Sequence, residues 1–115
     1  MATAEECRTA LESLTARIAD MSPEDRASRL ADRTLSCRVT DLEITFWTRL
    51  GAHGAEPVRE QTAGDPPAQI RFSAASADVV AVAGDPGGLA RAWLSGRVKV
   101  DGNLLDLLRL RKLIF

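Results

Sequence analysis

The sequence predicts an α+β domain, with helices packed around a small sheet whose first strands are antiparallel neighbours. Three observations carry the prediction. Over the first twenty residues apolar side chains recur at alternating spacings of three and four, the period of an amphipathic helix. From Thr34 the period falls to two, that of half-buried strands. The final stretch, "SGRVKVDGNLLDLLRLRKLIF", passes from a short strand through an Asp-Gly-Asn break into a leucine-rich helix.

Taken in order, Thr3 followed by Glu6 fits a capping box, and Ala4, Cys7, Leu11, Leu14, Ile18 and Met21 form one stripe behind it. The stripe is under three heptads long, so it is expected to pack on the protein's own sheet rather than in a coiled coil. "SPEDRASRLADR" restarts a short helix, with Ser22 as N-cap, Pro23 at the first helical position and acidic residues in the first turn. In "TLSCRVT", Leu35, Cys37 and Val39 alternate with polar residues. In "LEITFWTRL", Leu42, Ile44, Phe46 and Leu50 share a face opposite Glu43, Thr45, Trp47 and Arg49. "GAHG" reads as a turn, "AEPVREQT" as a more polar third strand with Pro57 near its start, and "AGDPP" as a loop. "AQIRFSA" gives a fourth strand with Ile70 and Phe72 inward. "SAASADVVAVAGDPGGLARAWLSG" gives two short helices split by Asp-Pro-Gly-Gly, and "RVKVDG" a fifth strand through Val98 and Val100. Asn103 is the expected N-cap of the last helix.

At 115 residues the chain is expected to be one domain. With 45% apolar and 27% charged residues it is too mixed for disorder. No apolar run reaches the roughly 18 residues of a spanning helix, and the acidic start "MATAEECRTALE" has no signal core, so a cytoplasmic protein is expected. Cys7 and Cys37 are too few for a disulfide framework and read as small buried apolar residues. The Ala- and Arg-rich composition leads to the expectation of a bacterial source with a GC-rich genome.

Charge is uneven: Arg91, Arg97, Lys99, Arg109, Arg111 and Lys112 face only Asp101 and Asp106 in the last part of the chain. A basic end can meet phosphate or anionic lipid, and cations in a last helical turn also complement the helix dipole.

Catalytic and metal signatures are missing from the sequence. His53 is the sole histidine, in "GAHG", a turn tip rather than an oriented base, so His53→Ala is expected to leave folding and binding unchanged. There is no nucleophile elbow, P-loop or dinucleotide fingerprint, and "GDPGG" lacks the Lys-Ser/Thr of a phosphate cradle. No zinc, haem or iron–sulfur spacing appears, so no cofactor or metal is expected. No aromatic-basic interleaving suggests nucleic acid.

The last helix poses the functional question. Leu104, Leu105, Leu107, Leu108, Leu110, Leu113, Ile114 and Phe115 leave only Asp106, Arg109, Arg111 and Lys112 polar, a wider apolar arc than one core-facing stripe. Each buried leucine contributes roughly 1.5 to 3 kcal/mol. The arc therefore calls for a cavity ligand, a partner, a membrane, or packing on both sides.

"FSAASADVVAVAGDPGGLARAWLSGRVKVDGNLLDLLRL" resembles the sterol carrier protein family of nonspecific lipid-transfer domains. "SGRVKVDGN" stands where that family has Ser-Gly-Lys-hydrophobic-Lys-hydrophobic-Glu-Gly-Asp, and "CRVTDLEITFWTRL" is similar to its opening hairpin, Trp47 included. The resemblance implies a five-stranded, mostly antiparallel sheet covered on one face by helices and enclosing an apolar tunnel for a fatty acid, fatty acyl-CoA or sterol-like lipid. It implies tunnel lining by Phe46, Phe72, Trp93, Leu104, Leu105, Leu108 and Phe115, with Arg109 or Arg111 near the mouth for a carboxylate or phosphate. A one-residue slip would exchange Phe46 for Trp47. The C-terminal "LIF" is not a peroxisomal address. The expected function is lipid binding or carriage without catalysis. Its rivals are an accessory module, resembling the C-terminal portion of alkyl sulfatases, that docks on an enzyme or pairs as a homodimer, and a small enzyme that positions an apolar metabolite.

Overall fold

The computed structural model describes residues 1–19, 33–51, 54–85 and 87–114, with backbone only at 18, 19 and 112–114. The helix expected from Ser22 and Pro23, the His53 turn and Phe115 lie outside the described residues, except that Arg33 opens the first strand.

The first helix, α1 (Ala4–Ala19), begins with the expected capping box. The Glu6 N–H donates to Thr3 Oγ1 and the Thr3 N–H to Glu6 Oε1, both at 3.1 Å, so two otherwise orphaned donors are satisfied. Cys7 and Ala10 are buried, with Leu11 and Leu14 half-buried beside them.

Among the described residues six strands follow: β1 (Arg33–Val39), β2 (Ile44–Gly51), β3 (Gly54–Ala55), β4 (Arg59–Glu60), β5 (Ile70–Ala74) and β6 (Lys99–Gly102). They form one sheet in the order β3-β2-β1-β5-β6, with β4 also pairing β2. β3 and β4 sit alongside opposite ends of β2, so they are two halves of the expected third strand. The break spans Pro57, whose ring nitrogen has no N–H to give the ladder. The sheet thus has five positions, antiparallel except where β1 meets β5.

Three further helices follow among the described residues: α2 (Ser76–Ala83), α3 (Gly88–Ser95) and α4 (Leu104–Ile114). Asp41, in the β1–β2 turn, ties α2 down by accepting the Ser76 N–H at 2.8 Å and its hydroxyl at 2.6 Å. Those two bonds hold the Asp41 carboxyl below the usual carboxylate range, the hydroxyl contributing most. Gly96 ends α3 at φ 81°, the left-handed cap glycine adopts freely. Gly102 is required by contact: a Cβ there would lie 2.7 Å from the Gln69 carbonyl. Asn103 caps α4 as expected, Oδ1 accepting the Leu105 N–H at 2.9 Å. Val98 is buried and Val100 half-buried, while Arg97 and Lys99 are exposed.

Strand register sorts the two faces. Leu35, Cys37, Val39, Phe46, Leu50, Ile70 and Ala74 are buried beneath the helices. The other face carries Arg38, Arg49, Arg71, Lys99 and Asp101. The core falls into two clusters. One gathers Cys7, Val39, Phe46, Val79, Val82 and Ala92 under α1–α3. The other gathers Leu35, Leu50, Ile70 and Leu110 under α4. Phe72 and Val100 touch both.

Candidate apolar binding cavity

Between these clusters the packing leaves a cavity of about 80 Å³. Leu11 and Leu14 of α1 and Val79 and Val82 of α2 form one wall. Cys37, Phe46 and Phe72 form the sheet side, and Leu110 of α4 closes the end toward the second cluster. Protein interiors pack as densely as organic crystals, so a void of this size in a small domain is unusual. Thr15, Ser36 and Thr48 are the polar residues on its border, and no charged side chain lines it.

Cys37 supplies the one ionisable group on the lining, and burial pushes its thiol up to about 12. A thiol held there keeps its proton at neutral pH and is a poor nucleophile. Burial raises Cys7 as well. Among the described residues no group of three or more His, Cys, Asp or Glu could hold a metal ion. The cavity is therefore suited to holding apolar groups by exclusion of water, not to proton transfer among its lining residues.

The strand residues fall as the two-residue period predicts. Phe46, buried, and Phe72, half-buried, line the cavity. Trp47 touches its border, but the register sets its side chain on the opposite face. There the Arg59 guanidinium lies 4.6 Å from the ring centroid, held by two 2.7 Å bonds to Asp65. Those bonds, with the Thr62 N–H, put the Asp65 carboxyl far below its usual range.

The leucines of helix α4 divide between two faces. Leu104, Leu105 and Leu108 are 72%, 54% and 49% exposed and lie outside the cavity lining. The turn of the helix is fixed instead by Asp106, which is buried and accepts the Arg33 Nε–H at 3.0 Å. Anchoring Asp106 to β1 brings Leu110, one turn on and 1% exposed, against Leu35, Leu50 and Ile70. Leu104, Leu105 and Leu108 then face outward, while Leu107 is half-buried. Trp93 is half-buried and packs on the second cluster rather than the cavity. Arg109 is half-buried and Arg111 exposed, neither on the lining.

Lining residues not anticipated include Leu11, Leu14, Val79, Val82, Leu89 and Leu110. Leu11 and Leu14 were visible as part of the first stripe. Val79 and Val82 belong to "ADVVAVA", apolar on every side, where no stripe marks a face.

Comparison with known proteins agrees with this architecture. The ubiquinone synthesis protein UbiJ-SCP2 superposes with a TM-score of 0.62 at 22% identity, covering 93% of this chain and 91% of that one. The palmitated SCP2L2 of Aedes aegypti gives 0.59 at 15% identity, covering 93% and 92%. The stereoselective inverting sec-alkylsulfatase Pisa1 of Pseudomonas sp. gives 0.57 at 21% identity, covering 88% of this chain but 14% of that one. At these identities the likeness is one of fold. No curated protein matches the chain in sequence. The family model described as the SCP-2 sterol transfer family matches residues 11–115, nearly the whole chain. By that match and by its fold, the chain belongs to the SCP-2 sterol transfer family.

Proposed function

We propose that the protein binds and carries an apolar ligand with a flexible chain, a fatty acid or fatty acyl-CoA, in the cavity between sheet and helices. The observation that carries this reading is the cavity itself: a void bounded by Phe46, Phe72, Val79, Val82 and Leu110, with no charged group on its lining. Such a site binds through burial of apolar surface, at about 25 cal/mol per Å². The palmitated relative holds the same fold, which supports an acyl chain as the occupant. About 80 Å³ is roughly half the ~150 Å³ that accommodates a benzene ring in an engineered cavity. A long acyl chain therefore requires the walls to part. The reading assigns no catalytic step.

The exposed leucines of α4 favour a second reading, an accessory module that brings an apolar ligand to a partner. The sulfatase, in which a domain of this fold makes up a small part of the chain, supports it. Native mass spectrometry of freshly purified protein tests the ligand reading. Copurified or added lauric or palmitic acid at one equivalent is the expected result. A protein that stays ligand-free with saturated chains of every length offered refutes it.

A further inference from the structure

We propose that the outer face of the sheet, the one opposite α1–α4, docks the acidic surface of a protein partner through that partner's carboxylates. The face is separate from the cavity and from the exposed leucines of α4. Strand register builds it in rows. Arg38 of β1 pairs with Ser73 of β5, and Ser73 with Lys99 of β6, so two exposed cations flank one half-buried hydroxyl. One pleat along, Arg59, Trp47, Ser36, Arg71 and Asp101 form a second row, with Arg49 beyond Trp47 on β2. Among the described strand residues of this face, Asp101 is the one acid against Arg38, Arg49, Arg59, Arg71 and Lys99, in a chain whose net charge is only -1. Two of these cations already hold carboxylates, Arg59 that of Asp65 at 2.7 Å and Arg71 that of Asp101 at 3.1 Å. Arg38 and Lys99 make no ion pair among the described residues, and their row is the open part of the face.

The composition of the face selects its occupant. Single-stranded nucleic acid needs open aromatic rings for its bases. Among the described residues this face offers one ring, Trp47, and Arg59 covers it at 4.6 Å from the centroid. A bilayer needs apolar groups that enter it, whereas the uncharged residues around these cations are Thr34, Ser36, Thr45 and Ser73. A second copy related by a two-fold axis would set the cations against each other. A uniform polyanion would bring negative charge to Asp101 as well as to the arginines, while a folded partner can place a hydroxyl or a cation there. Guanidinium forks set among hydroxyls suit carboxylates, which accept two bonds from one arginine and a third from a neighbouring serine or threonine.

Fluorescence anisotropy with a labelled peptide of about ten glutamates tests the proposal, the peptide standing in for the acidic surface. Saturable binding at about 50 mM salt, weakened roughly tenfold or more at about 300 mM, is the expected result. Arg38→Gln with Lys99→Gln should weaken binding roughly tenfold or more without unfolding, since both side chains are exposed. Asp101→Asn should instead tighten it, roughly two- to threefold, by removing the acid of the face and releasing Arg71. Arg91→Gln, on α3 at the helical side of the sheet, should change nothing. Absence of saturable binding, a double variant that binds like wild type, weaker binding by Asp101→Asn, or an Arg91→Gln loss as large as that of the double variant would overturn the proposal. So would tighter binding of an oligothymidylate of about eleven nucleotides, which carries a similar charge and assigns the face to nucleic acid. Self-association in sedimentation that the double variant abolishes would also overturn it, by assigning the face to a second copy. The proposal does not rest on the cavity reading, and lauric acid binding by the same variants, expected to match wild type, keeps failure of the one distinct from failure of the other.

Discussion

Replacing Val79 and Val82 together by isoleucine should stabilise the protein and weaken its ligand binding. Both side chains are buried, at 4% and 5% exposure, and both line the cavity. The pocket they border, of about 80 Å³, leaves room beside both side chains. Each substitution adds one methylene where there is space for it, worth about 0.8 kcal/mol when buried. The pair is expected to gain about 1 kcal/mol after some loss to imperfect rotamers. That corresponds to a rise in Tm of about 4–6 °C for a domain of this size. In a filled core the same two methylenes would overpack and cost about 1–3 kcal/mol, so the sign separates the two cases. The assay is urea unfolding of both proteins, with and without lauric acid. Because ligand stabilisation follows RT ln(1 + [L]/Kd), the lauric acid shift should be smaller in the variant. A destabilised double variant, or one with an undiminished shift, would refute the reasoning.

Two predictions concern neighbouring sites. Leu110→Ala should cost about 3 kcal/mol and Leu108→Ala under about 1 kcal/mol by denaturant unfolding, since the former is 1% and the latter 49% exposed; equal costs would mean that α4 is rotated from the position described. Cys37 should make stability fall at alkaline pH: its folded value is about 12 against an ordinary 9.0, so from pH 9 upward the unfolded chain releases a proton that the folded protein keeps. The loss should reach about 1–2 kcal/mol by about pH 10.5, and Cys37→Ala should flatten that slope, with no tyrosine to confuse the titration; an unchanged slope would show that the thiol ionises freely in the folded state.

The strands were legible because their signal is local. A two-residue period groups Leu42, Ile44, Phe46 and Leu50 on one face and Trp47 on the other, but which face the helices cover was open in the sequence and is set by the pairing of β2 with β1. Caps were legible for the same reason: Thr3 with Glu6, and Asn103 with Leu105, are contacts within one turn. The facing of α4 was not. Eight apolar residues surround that helix, and what selects one side is Arg33, distant in sequence, pairing with Asp106. The break in the third strand was half legible, since Pro57 was visible but the residues that pair on each side of it depend on β2. The cavity could not be read from composition at all. It depends on how side chains of α1, α2, the sheet and α4 together fill space, which is a property of volumes in three dimensions.

The central claim, that an acyl chain enters between sheet and helices, is tested most directly by NMR of protein labelled at leucine and valine methyls and titrated with lauric acid. Intermolecular NOEs from the acyl chain to Leu11, Leu14, Val79, Val82 and Leu110, saturating at one equivalent, are the predicted result. NOEs confined to Leu104, Leu105 and Leu108, or no saturable change at any methyl, would contradict it.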